Sequence, residues 1–423
     1  MTILLKNVKI VDSQSTSNGF IKDILIENGI IKKINKNIQN PSGKTEMIDL
    51  KSYSVSPGWV DIFSHFCDPG YEQNETLETG SKAAIHGGYT RVFALPETNP
   101  VTDKKTAVEY QVEKAKNLPI FIHPLGAVSK KLEGTELAEM YDMHKSGAIA
   151  FTDGYKPLQS TALLIKGLEY IKAINANMIQ LPIDKSIAKA GLMHEGIIST
   201  RLGLPGIPAM AEKLIIQRDL ELLAYTESKL HISGISTAES ISLIKKAKKS
   251  GLRISCSVTP YHLFFCDEDL QDYDTNLKLS PPLRSRSDMV ALRKAVLSGD
   301  IDCIATHHQP HDWDEKTKEF EYAKTGMIGL QSCFAVINTL FPTLENQGLV
   351  ALFSLNARKL FNLPPATIEE GTEAELTIFN RDLKNDFSPA SNASKSANSA
   401  FFHKELNGKV KGIFAKNKLS IFK

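Results

Sequence analysis

Apolar and polar residues alternate along 3–11, 21–26 and 29–34, the period of a half-buried strand, and Asn28-Gly29 is a residue pair that favours a two-residue hairpin turn. The same texture returns at 374–379, 408–416 and 419–422. The two ends of the chain therefore predict one small composite β domain. Between them the pattern changes. Short apolar runs at 58–66, 91–95, 120–124, 148–153, 178–183, 229–234, 253–258 and 302–307 alternate with helical stretches. After the sixth run, Ser236 and Glu239 have capping-box spacing, Ile241 and Ile244 form an apolar stripe, and Gly251 is the expected stop. Strands apolar on both faces, each followed by a helix, predict a parallel (β/α)8 TIM barrel over 56–365. Residues 1–55 and 366–423 then make a β-sandwich domain beside it. The competing architecture, a doubly wound open sheet, lacks the Gly-x-Gly-x-x-Gly turn after an early strand.

Composition changes this picture little. The chain has 423 residues, 50 basic against 48 acidic, and is 42% hydrophobic and 23% charged, which excludes disordered and collagen-like classes. With no basic excess, nucleic acid is not an expected partner. Lys245, Lys246, Lys248 and Lys249 read as the solvated face of one helix. No run reaches the ~18 apolar residues of a membrane span, and Lys6 and Lys9 make the first segment a strand rather than a signal peptide. Five scattered cysteines without a Cys-x-x-Cys pair suit reduced thiols, so a cytoplasmic chain is expected.

In a barrel, chemistry sits at the C-terminal ends of the strands. The first candidate strand ends in Phe63-Ser64-His65-Phe66-Cys67, and alternation places Phe63, His65 and Cys67 on one face. The fourth ends at Asp153 and the eighth in Thr306-His307-His308-Gln309-Pro310-His311. His65 alone reads equally well as a satisfied core histidine. Three histidines at one strand end are harder to assign to packing, since neutral imidazole is a common metal ligand.

Several segments resemble the dihydroorotases of the multifunctional-complex type, within the cyclic amidohydrolase group of the amidohydrolase superfamily. They include Pro57-Gly58-Trp59-Val60-Asp61, Gly87-Gly88-Tyr89-Thr90-Arg91-Val92, Pro96-Glu97-Thr98-Asn99-Pro100 and Val258-Thr259-Pro260-Tyr261-His262-Leu263. Pro281-Pro282-Leu283-Arg284 and Asn356-Ala357-Arg358-Lys359-Leu360 continue the match, and Ser394-Lys395-Ser396-Ala397-Asn398-Ser399 has a counterpart too. Residues 385–400, which by composition alone suggest a flexible loop, are thereby drawn into the fold. The resemblance implies a binuclear zinc centre, a bridging hydroxide and a carboxylate on the last strand that shuttles the proton.

Position by position, the implied site is altered. Phe63 replaces the first histidine of the family's His-x-His, and only His65 remains. Cys67 stands where an arginine grips the substrate carboxylate, and Glu97 where an asparagine is implied. Asp153 keeps the position of the bridging carboxylate. Leu181 and Gly234 occupy two further histidine positions, and His307 takes the place of the catalytic aspartate. A binuclear zinc centre is not expected, because phenylalanine, leucine and glycine donate nothing to zinc.

The leading expectation is a dihydroorotase-like protein of pyrimidine biosynthesis that is catalytically silent, a pseudoenzyme. It would be an oligomer, either with itself or with aspartate carbamoyltransferase. The alternative is an active cyclic amidohydrolase rebuilt around one zinc ion held by His65, Cys67, Asp153 and His307, with Glu97 as general base. A metabolite-binding protein using the old pocket, or an ordinary dihydroorotase with a misread alignment, completes the set.

Overall fold

The computed structural model describes residues 2–39 and 45–422. Eight parallel strands follow one another in chain order: Trp59–Ser64, Tyr89–Ala94, Phe121–Gly126, Ala150–Phe151, Met178–Gln180, Leu230–Ile232, Ile254–Val258 and Cys303–Ile304. They are numbered here one to eight. The ends of this sheet meet through a parallel bridge between Ser64 and His308, and the His65 N–H donates to the His308 carbonyl at 2.8 Å. This is the predicted barrel. The fourth and eighth strands are shorter than their apolar runs, and beyond the eighth the chain leaves the ladder for side-chain acceptors. The Thr306 N–H, for example, donates to Asp61 Oδ1 at 2.7 Å.

Inside the barrel, Val60, Ile62, Phe93, Leu125 and Ile179 pack with Phe361 and Leu363, which come from the chain after the last barrel helix. The interior is a core rather than a pore. After the sixth strand, helix Ala238–Lys249 begins one residue later than its sequence suggests. Thr237, not Ser236, is the cap and accepts the Ser240 N–H at 3.2 Å. Ser236 is unavailable because its N–H donates to buried Glu212 at 2.8 Å, and Glu239 reaches Lys213 instead.

Both chain ends supply the second sheet. Its order runs Lys418–Ile421, Leu406–Ala415, Leu376–Asn385, Ser54–Pro57, Thr2–Ile10, Ile21–Glu27, Ile30–Asn35, with Thr45–Asp49 also paired to Thr2–Ile10. The hairpin at Asn28-Gly29 forms as expected, both residues having positive φ (50° and 82°). The chain passes from this sheet to the barrel at Gly58. There Trp59 packs among Phe334, Phe353 and Phe379. Buried Glu375 receives Arg91 Nη2 at 2.8 Å and is also bonded by Arg358. Residues 385–400 lie over the barrel mouth, where Asn398 Nδ2 donates to the Gln309 carbonyl at 3.0 Å.

Candidate functional site

The C-terminal ends of strands one, six and eight converge on His307. Its ring lies flat on Phe63, with centroids 4.3 Å apart and planes 25° apart, and its Nε2 bonds Ser233 Oγ at 2.8 Å. Gly234, beside Ser233, has φ +76°, and a Cβ there would lie 2.6 Å from His307 Cε1. The imidazole thus fills the space a side chain at 234 would occupy. Burial, with His262 and His231 nearby, holds the His307 pKa well below the ordinary value, so the ring is neutral. Leu181 is buried in a separate apolar cluster with Ile183 and Ala211.

His65 is tied up within its own loop. Its Nδ1 accepts the Cys67 N–H at 3.0 Å, which leaves the proton on Nε2, donated to the Glu97 carbonyl at 2.9 Å. Burial lowers its pKa to about 4. Cys67 has φ 59°, and burial followed by surrounding carboxylates pushes its thiol far up, so it is no thiolate. Asp153 faces away from these groups. Its Oδ1 accepts the Val128 and Ser129 N–H groups at 2.8 and 2.9 Å, and Ser129 Oγ donates to Oδ2. Burial nevertheless raises its pKa to about 6.

Glu97 reaches the centre from the second strand. Oε1 accepts the Tyr155 N–H at 2.9 Å, while Oε2 is buried with no partner. Burial raises the pKa to about 8, so the group carries a proton at neutral pH. A Cβ on Gly154 would strike this carboxyl group, and Glu97 fits only because residue 154 is glycine, with φ +58°.

These contacts correct two expectations. His65, Cys67, Asp153 and His307 are not gathered into one ligand set, since His65, Asp153 and His307 have each turned to hydrogen-bond partners of their own. Asp153 is not a bridging carboxylate, because both oxygens serve the loop after the third strand. Among the described residues, no three His, Cys, Asp or Glu side chains stand where they could hold a metal ion. Zinc does not fit the side chains at this mouth. The void that remains between Tyr155, Tyr261, His262, His307 and Gln309 measures about 10 Å³, room for one water.

Reading the residues one by one missed Tyr155 and Ser233, which hold Glu97 and His307 in place. The adjacent Gly154 and Gly234 were the available signals, because each makes room for one of the two large polar side chains. His308 and His311, from the same run, serve the loops. The Gly329 N–H donates to His308 Nδ1 at 3.2 Å, and His311 Nε2 donates to the Thr325 carbonyl at 2.8 Å.

A family model described as dihydro-orotase-like matches residues 54–240. A dihydroorotase of Syntrophus aciditrophicus is 39% identical over 413 residues, 97% of each chain, and one of Acetivibrio thermocellus is 38% identical over 414 residues, 96% of each. Among solved structures, L-hydantoinase (dihydropyrimidinase) from Arthrobacter aurescens superposes with TM-score 0.86 at 21% identity, covering 100% of this chain and 97% of that one. D-hydantoinase (dihydropyrimidinase) from Thermus sp. gives TM-score 0.82 at 22% identity, covering 99% and 95%. The structural likeness shows the fold, a barrel with its companion sheet. Identity of this extent over nearly the whole length establishes more: the chain belongs to the dihydroorotase family.

Proposed function

We propose that this chain serves pyrimidine biosynthesis as a non-catalytic dihydroorotase-family protein, a structural subunit rather than a ring-opening enzyme. The observation that carries the reading is the closed mouth. His307 stacked on Phe63 and the protonated Glu97 carboxyl stand where metal, water and substrate carboxylate would have to meet, and about 10 Å³ is left. Cys67 stands where the family resemblance implies the arginine clamp. A bidentate arginine grip is among the strongest polar contacts to a carboxylate, so its loss weakens substrate binding even if a metal were supplied. The partner favoured by the family resemblance is aspartate carbamoyltransferase, with self-association as the simpler assembly. A specific contact of either kind buries more than about 1,000 Å².

The test is an assay of dihydroorotate ring opening and closure on zinc-supplemented protein, run beside co-expression with the transferase of the same organism. No turnover, together with a joint particle by light scattering that survives His65→Ala, is the expected result. Turnover abolished by Asp153→Ala would overturn the catalytic half. Separate elution of the two proteins as monomers would overturn the structural half.

A further inference from the structure

Between the eighth strand and helix Cys333–Leu340 the chain makes an excursion at the barrel mouth. Its base is pinched shut: His308 and Met327 form a parallel bridge, and the Gln309 N–H donates to the Met327 carbonyl at 2.9 Å. Residues 310–326 make a strap between these points. Gln309 and Gly326, at its two ends, line the small void beside His307. Little apolar packing holds the strap down. Between 311 and 325 the buried apolar side chains are Phe320 and Ala323, while Trp313 and Tyr322 are exposed. Two buried lysines grip it instead. Lys278 reaches in from outside, and its Nζ donates to the carbonyls of Phe320, Glu321 and Ala323 at 2.8, 2.8 and 2.9 Å. Lys316 reaches back from the strap to the Thr275 carbonyl at 2.6 Å, and its Nζ also donates to the Lys324 and Gly326 carbonyls at 2.7 and 3.0 Å. An ammonium has three N–H donors, and here each donor meets one carbonyl. Neither lysine pairs with a carboxylate among the described residues.

We propose that residues 310–326 are a lid on the barrel mouth, latched by the Lys278 and Lys316 ammonium groups, which opens as one unit while the barrel stays folded. Each ammonium gives up its hydration to make these bonds, so their net contribution is small beside their number. A segment with few buried apolar contacts opens locally at a lower free energy than the core. Pro310 and Gly326, the latter with φ +119°, are the hinge positions at the two ends. Gly326 lies against Gln309, whose Oε1 is buried without a partner. Opening separates the two, hydrates that oxygen and connects the void beside His307 to solvent. The lid depends on the strap's own contacts and stands apart from the assembly role.

Residue-resolved amide hydrogen exchange on the full chain, under native conditions and at low denaturant, tests the assignment. Two strap amides are the reporters: the Lys324 N–H, bonded to the Glu315 carbonyl at 3.0 Å, and the Gly326 N–H, bonded to the Lys278 carbonyl at 2.8 Å. Barrel strand Ile254–Val258 reports global unfolding. In the unaltered protein both reporters should exchange faster than the strand, at one common opening rate and with little response to low denaturant. Lys316→Met and, separately, Lys278→Met keep the side-chain length and remove the charge. Each should speed both reporters roughly tenfold or more, the scale of losing hydrogen bonds to a charged group, and leave the strand unchanged. Reporters that exchange only with the strand in the unaltered protein overturn the lid. Variants that leave the reporters unchanged, or that speed reporters and strand equally, overturn the latch.

Discussion

Phe63, Gly234 and His307 are coupled through packing. The imidazole is accommodated because residue 234 has no Cβ, and it is held because Phe63 offers an aromatic face and Ser233 a hydroxyl. A larger side chain placed at 234 alone therefore collides with the imidazole. Gly234→His must place its Cβ 2.6 Å from His307 Cε1 at a backbone φ of +76°. Overpacking of a filled core costs about 1–3 kcal/mol, and a left-handed backbone adds about 1–2 kcal/mol for a residue with a Cβ. Denaturant titration should find Gly234→His destabilised by roughly 3 kcal/mol. Adding His307→Asp should recover the packing share of that loss, because the smaller side chain vacates the space. Additive effects of the two changes would show that the residues do not compete for one volume.

At the scale of elements, the seam between barrel and composite sheet rests on one carboxylate. Glu375, from the chain entering strand Leu376–Asn385, sits between Arg91 of the second barrel strand and Arg358 of the helix closing the barrel, all three buried. The two guanidinium charges and the aspect of two elements toward each other depend on it. Glu375→Gln keeps the shape and removes the charge, leaving two buried cations uncompensated. Breaking a buried pair in this way costs about 3–5 kcal/mol. The expected outcome is a loss of that size in equilibrium unfolding, and a loss below ~0.5 kcal/mol, the range of surface substitutions, would refute it. The helix after the sixth strand makes a related point. Its type and length were readable from periodicity, but its first residue was decided by Glu212, a partner from the preceding helix.

For the whole molecule, the buried ionisable groups at the mouth make stability depend on pH from both sides. Glu97 has a folded pKa near 8 against an ordinary 4.5. Between those values the folded state holds the proton that the unfolded chain releases, so stability falls as pH rises through the window and levels off above it. Asp153, raised to about 6 from 3.8, acts in the same direction at lower pH. His65 acts oppositely. Its pKa of about 4 lies below the ordinary 6.5, so its contribution is lost as pH falls from 6.5 toward 4. Glu97→Gln, which keeps a neutral side chain of the same shape, should flatten the decline between pH 4.5 and 8. An unchanged slope in that window, measured by urea unfolding at several pH values, would show that Glu97 titrates normally.

Local chemistry was enough to read the architecture from the chain itself. Strand and helix periods, the Asn28-Gly29 turn and the matching texture of the two ends are short-range signals, and they led to the barrel and its composite sheet. The altered mouth was also partly legible, since Phe63, Leu181 and Gly234 carry no metal-donating atom whatever surrounds them. The donors that remain were a different matter. His65, Cys67, Asp153 and His307 are a plausible ligand set by residue type, and nothing in their spacing shows that His65 and Asp153 have turned to loop partners. Hydrogen bonds are directional and short, so a rotation of one side chain decides whether a lone pair faces a metal or a backbone N–H. The closing of the barrel mouth, and the strap gripped there by Lys278 and Lys316, arise from residues far apart in the chain meeting in the folded barrel. Only the tertiary structure could decide them.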